Sequence, residues 1–142
     1  MSDVIVVIRA KVSPTEEPEK VAKAIKKVLG PIALETIERR GETILEARMV
    51  GVESLRYLRE SFARERIRDA VRSMLSRWAS DRTEFNFGIN RQAAYAGHVS
   101  IYQASQAPLG PIQVTVKGDS KTIVSYLCDI RRTQSGTTSL KG

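Results

Sequence analysis

Val4-Ile-Val-Val-Ile-Arg-Ala-Lys-Val12, then Ser13-Pro14-Thr15, then Glu16-Glu-Pro-Glu-Lys-Val-Ala-Lys-Ala-Ile-Lys-Lys-Val-Leu29 is the stretch that decides how this chain folds. In its first part Val4, Val6, Ile8, Ala10 and Val12 fall on one side of a two-residue repeat, and Arg9 and Lys11 fall on the other. That is the signature of a strand with a buried face. Ile5 and Val7 share the second side, so part of that side is expected to be covered as well. The period then changes to that of a helix, with Val21, Ala22, Ile25, Val28 and Leu29 on one face. Thr15 is the expected N-cap, with Glu16, Glu17 and Glu19 near the positive end of the helix dipole. Gly30-Pro31 is the expected stop.

Outward from this unit the pattern continues. A hairpin is expected around Arg40-Gly41. Its outgoing strand, 42–50, alternates cleanly. The incoming strand, 32–39, slips between Leu34 and Ile37, which predicts a bulge. Residues 52–79 are helical. Leu55, Leu58 and Phe62 keep one apolar stripe, and Ile67, Val71, Met74, Leu75 and Trp78 keep another. The five-residue step between Phe62 and Ile67 predicts a break near 62–66. Strands are expected at 83–90, 98–103 and 111–117, a helical turn at 91–96 and a short helix at 119–129. The order predicts an α+β fold, a mostly antiparallel sheet with helices packed on one face. One domain over residues 1–130 and a flexible tail over 131–142 complete the expected layout.

The chain is basic, with 23 Lys and Arg against 16 Asp and Glu, a net charge of +7. Such an excess favours a polyanionic partner. It is unevenly spread. Residues 1–52 carry nine bases and eight acids, residues 53–91 nine and six, residues 117–142 five and two, and residues 92–116 none of either. Arg64, Arg68 and Arg72 recur every four residues, which would align them on one helical ridge able to track a phosphate backbone. The competing reading is a solvated face on which Glu60 pairs with Arg64, Glu65 with Arg68 and Asp69 with Arg72.

Several chemistries are unsupported. His98 and Cys128 are the only residues of their types. They make neither a zinc set nor an obvious nucleophile–base pair. A phosphate-binding P-loop, a Gly-x-Gly-x-x-Gly and a Gly-x-Ser-x-Gly are missing. Glu16 and Glu17 read as capping carboxylates. The chain therefore reads as non-enzymatic, with no cofactor and no metal. One cysteine allows no internal disulfide, and Val4–Ile8 is too short an apolar run to span a bilayer. A cytoplasmic protein with no membrane role is the expectation.

Two segments invite a functional reading. Asn90-Arg91-Gln92-Ala93-Ala94-Tyr95-Ala96-Gly97-His98 gathers amide, guanidinium, phenol and imidazole groups. Arg91 could bind phosphate, and Gln92, Tyr95 and His98 could meet unpaired bases. The plainer reading is a tight helical turn with its polar groups capping backbone. The second segment includes Pro108-Leu109-Gly110-Pro111-Ile112, a rigid uncharged turn. Pro108, Leu109, Pro111 and Ile112 could serve a homodimer or another assembly interface, a role that needs no nucleic acid.

Four stretches carry a family resemblance: Val-x-Pro-Thr-Glu-x-Pro-Glu-Lys-Val over 12–21, Glu65-Arg66-Ile67-Arg68-Asp69, Asn90-Arg91-Gln92-Ala93-Ala94-Tyr95, and Pro108-Leu109-Gly110-Pro111-Ile112. They resemble an uncharacterised archaeal family predicted to bind RNA and linked by inference to the archaeal exosome. That family's fold is similar to the fifth large-subunit ribosomal protein. The resemblance spans about residues 4–117. It implies an RNA partner, a place in an RNA-processing complex and no catalytic residues.

Overall fold

The computed structural model describes residues 4–79, 83–103 and 111–129. The first strand, β1 (Ile5–Val12), leads into helix α1 (Pro18–Leu29). The hairpin strands are β2 (Glu35–Arg39) and β3 (Glu42–Val50). A 3-10 turn (Val52–Leu55) opens helix α2 (Arg56–Arg64), which is followed by α3 (Arg68–Ala79). Then come β4 (Glu84–Ile89), the short helix α4 (Arg91–Tyr95), β5 (Ile101–Gln103), β6 (Ile112–Lys117) and α5 (Ser120–Cys128).

The strands form one sheet in the order β2-β3-β1-β6-β4-β5, and every pairing is antiparallel. β1 lies inside the sheet, which explains its apolar residues on both sides. Val6, Ile8, Ala10 and Val12 are buried with Leu45, Ala47, Phe85, Phe87, Ile89, Val114 and Val116 in one core cluster. The helices supply the rest: Val21, Ala24, Ile25, Val28 and Leu29 from α1, Leu58 and Phe62 from α2, Val71 and Leu75 from α3, and Ile123, Val124 and Leu127 from α5. Each fully buried Val, Leu, Ile or Phe among them contributes roughly 1.5–3 kcal/mol of transfer free energy. Across the sheet Ile5 and Val7 are half-buried and Val50 is exposed. Arg9 pairs there with Glu46, and Lys11 with Glu42.

Three local expectations need correction. α1 begins at Pro18 with Glu17 as N-cap, not at Thr15, and Glu17 makes no side-chain cap bond. Glu16 is drawn elsewhere, as described below. The buried stripe of α1 includes Ala24, while Ala22 sits at its half-buried margin. The bulge is not formed either: β2 starts at Glu35 and pairs residue by residue through Arg39↔Glu42, with 32–34 outside the strand. The hairpin turn falls at Arg40-Gly41, both with positive φ (53° and 78°), the twist that two-residue hairpins favour.

The expected break between helices is real and has a defined geometry. Arg66 takes a left-handed conformation (φ 60°). The Ile67 N–H donates to the Phe62 carbonyl and the Arg66 N–H to the Ala63 carbonyl. This is a Schellman stop with arginine at the position that usually holds glycine.

Candidate nucleic-acid interface

The stop at Arg66 divides the expected arginine ridge. Arg64 ends α2 and Arg68 begins α3, so Arg64, Arg68 and Arg72 do not lie along one helix. A left-handed residue redirects the chain, and four-residue spacing across it no longer means a shared face. Arg64 reaches back to the Ser61 hydroxyl, donating at 3.3 Å. Arg72 donates from Nη2 to the Cys128 carbonyl at 2.9 Å, which satisfies an open carbonyl at the end of α5. Arg68 is half-buried.

The neutralising pairs are not formed either. Among the described residues, no ion pair links Glu60 to Arg64, Glu65 to Arg68 or Asp69 to Arg72. Glu65 instead lies 2.9 Å from Nδ1 of His98. Arg56, Arg59, Arg64, Arg66, Arg68, Arg72 and Arg77 all fall between the start of α2 and the end of α3. None of these seven is in an ion pair with a described residue. Among the described residues, the positive charge of α2 and α3 is thus not matched by ion pairs.

The 90–98 segment is largely occupied by its own structure. The Asn90 side chain caps α4 by accepting from the Ala93 N–H at 2.9 Å. Arg91 is withdrawn from the surface, with its side chain 7% exposed and Nη1 2.6 Å from Oε1 of Glu16. Its Nη2 points to the Pro111 carbonyl at 3.4 Å. Arg91 is therefore not a surface ligand for phosphate, because its charge is already matched inside the fold. The Tyr95 hydroxyl donates to Oε2 of the same Glu16 at 3.0 Å, and Lys27 donates to the Tyr95 carbonyl. Burial, then the Glu16 carboxylate, push the Tyr95 pKa up. Gln92 and His98 remain exposed, His98 with its Nδ1 held against Glu65.

The uncharged turn is only partly described. Pro108 and Leu109 lie outside the described residues. Ile112 is fully buried in the sheet and cannot serve an interface, while Pro111 is half-buried beside the Tyr102 ring. Cys128 is buried in the core, and desolvation pushes its thiol up to about 11. That is the opposite of an activated nucleophile.

A pair of furrows flanks α5, which the sequence did not mark. One, of about 700 Å³, is bordered by Glu53, Arg59, Lys121, Thr122, Ser125 and Tyr126. The other, of about 440 Å³, is bordered by Arg72, Ser76 and Ser120 and shares Lys121 and Ser125. The Arg59 guanidinium lies over the Tyr126 ring, 5.2 Å from its centroid. No motif announces this set, because its members come from three helices that only the fold brings together.

A six-stranded antiparallel sheet with a helical layer rich in arginines that make no ion pair among the described residues defines a basic α+β protein. The chain belongs to the family whose model is described as RNA binding, which matches residues 5–118. It is 39% identical over 115 residues to a UPF0201 protein of Pyrobaculum aerophilum, covering 80% of each chain. It is 34% identical to one from Thermococcus kodakarensis over 91% of each. A crystal structure of a UPF0201 protein from Methanococcus jannaschii has the same fold, with a TM-score of 0.74 at 29% identity, covering 87% of this chain and 92% of that one. Among the described residues no helix is long and apolar enough to cross a membrane.

Proposed function

We propose that this protein is a non-catalytic RNA-binding protein of the archaeal cytoplasm, acting in RNA processing or degradation. Membership of a family whose model is described as RNA binding supports the RNA partner. The observation that carries the reading is the row of arginines on α2 and α3 that have no ion-pair partner among the described residues. Exposed guanidinium groups without carboxylates bind phosphate oxygens through their planar fork, and binding releases condensed counterions. Fold similarity to the fifth large-subunit ribosomal protein and a link to an RNA-degrading assembly belong to this reading.

The test is a titration of the protein into labelled single-stranded RNA across a salt series. Affinity should fall linearly in log–log form, with a slope of about 0.7 per phosphate contact. The RNA should be recovered intact after prolonged incubation. Absence of binding at low salt would retire the RNA reading, and steady cleavage would retire the non-catalytic one.

A further inference from the structure

We propose that the paired furrows along α5 form the seat of an RNA backbone, with Arg59, Lys121 and Arg72 as phosphate ligands. This inference rests on the RNA-binding reading and assigns it a surface. The surface includes a helix beyond residue 118, where the family match ends.

The first argument is placement. Lys121 and Ser125 are one helical turn apart on α5 and border both furrows. Arg59 stands on one side, from α2, and Arg72 on the other, from α3. The three cations are thus spread across a ridge rather than gathered at a point. A single small anion needs one pocket; a chain of phosphates needs successive cations along a path. Glu53 is the one carboxylate among the described residues lining either furrow.

The second argument is unmet hydrogen bonding. Arg59 keeps a buried Nε–H with no acceptor. Buried donors are almost always satisfied, so an orphan on a furrow wall marks a place where an acceptor is missing. Arg72 spends one Nη bond on the Cys128 carbonyl, which fixes its guanidinium at the furrow and leaves the rest of the fork open. A pre-positioned arginine loses less entropy on binding than a free one.

The third argument is the chemistry of the walls. Ser76 supplies a hydroxyl of the kind that contacts phosphate and ribose oxygens, while the Thr122 and Ser125 hydroxyls donate to Asp119 and Asp129. Tyr126 supplies an aromatic face already paired with a guanidinium, a combination that accepts a stacked base.

The test compares two charge-matched triple variants by fluorescence anisotropy with a short single-stranded RNA. One carries Arg59→Gln, Lys121→Gln and Arg72→Gln. The other carries Arg39→Gln, Arg40→Gln and Arg48→Gln in the β2–β3 hairpin. Thermal melts check that both fold. The furrow triple should weaken binding by about tenfold or more and lower the salt slope by about 2. The hairpin triple should show only the smaller loss due to net charge. Ser125→Asp is a second probe that spares every arginine. It places a carboxylate between the furrows and should also weaken binding. If wild type binds RNA and the furrow variants bind as the hairpin triple does, the site is overturned while the RNA reading stands. If wild type binds no RNA, both fall.

Discussion

Glu16 and Arg91, separated by most of the chain, meet at 2.6 Å and fasten the loop before α1 to the start of α4. The same carboxylate accepts the Ser13 N–H and the Tyr95 hydroxyl. One side chain thus ties its own loop to both ends of α4. It is only partly open to solvent, at 21% exposure.

Removing the carboxylate strands a buried guanidinium whose Nε already lacks an acceptor. Glu16→Ala should therefore cost about 3 kcal/mol, the scale seen when one partner of a buried pair is lost. Arg91→Met should cost less, because it removes the buried charge instead of orphaning it. Urea unfolding midpoints of the two variants decide this. An Arg91→Met loss equal to or larger than that of Glu16→Ala would show that charge stranding is not the dominant cost.

The pair also gives an acid response. Burial alone would raise the Glu16 pKa, but the Ser13 N–H, the Tyr95 hydroxyl and Arg91 outweigh it and hold the carboxyl below its ordinary 4.5. A depressed carboxylate contributes stability that is present above its unfolded value and is lost as pH falls through the folded one. Wild type should lose stability on that acid limb. Glu16→Gln, which cannot titrate, should show a flatter limb in unfolding curves taken from neutral to acid pH. Parallel curves would rule this contribution out.

Arg66 occupies the left-handed position of the stop between α2 and α3. A side chain there costs on the order of 1 kcal/mol relative to glycine. Arg66→Gly should raise the unfolding free energy by up to about that amount, measured by denaturant titration. A loss of stability would mean that the arginine side chain makes a contribution larger than its backbone strain.

Cys128 should be inert in the folded protein. Desolvation lifts its thiol to about 11, so at pH about 8 the thiolate is on the order of one part in a thousand. Its sulfur is also fully enclosed. Alkylation followed by mass spectrometry should show labelling only after denaturant is added. Rapid labelling of native protein would indicate that α5 opens readily.

Where the chain states its structure locally, the sequence was readable. The alternation of β1 and β3 and the five-residue step at Phe62–Ile67 each named their element. Several failures share one cause, which is a partner far away in the chain. Glu16 looked like a helix cap because Arg91 and Tyr95 are invisible from position 16. Arg91 looked like a free cation for the same reason. The Arg64, Arg68 and Arg72 spacing looked like a ridge for a local reason: the break was legible, but without a glycine in Glu65-Arg66-Ile67 nothing marked that it falls after Arg64. Arg59, Lys121 and Tyr126 carried no motif, since their relation exists only once α2 and α5 are packed together.

The position of β1 inside the sheet has a temporal meaning. Ile5 pairs with Val50 on one side and Lys117 on the other, so the first strand made is finished only when β6 has left the ribosome. Until then β1 has one open edge of unsatisfied backbone groups, the kind of surface that recruits other chains. Native pairing here closes a long loop before it is rewarded, so assembly of the sheet should be slow beside that of the helices. A nascent chain of this protein therefore carries its most apolar strand half-paired from the end of β3 to the end of β6, and anything that shields that edge in the interval should favour its yield.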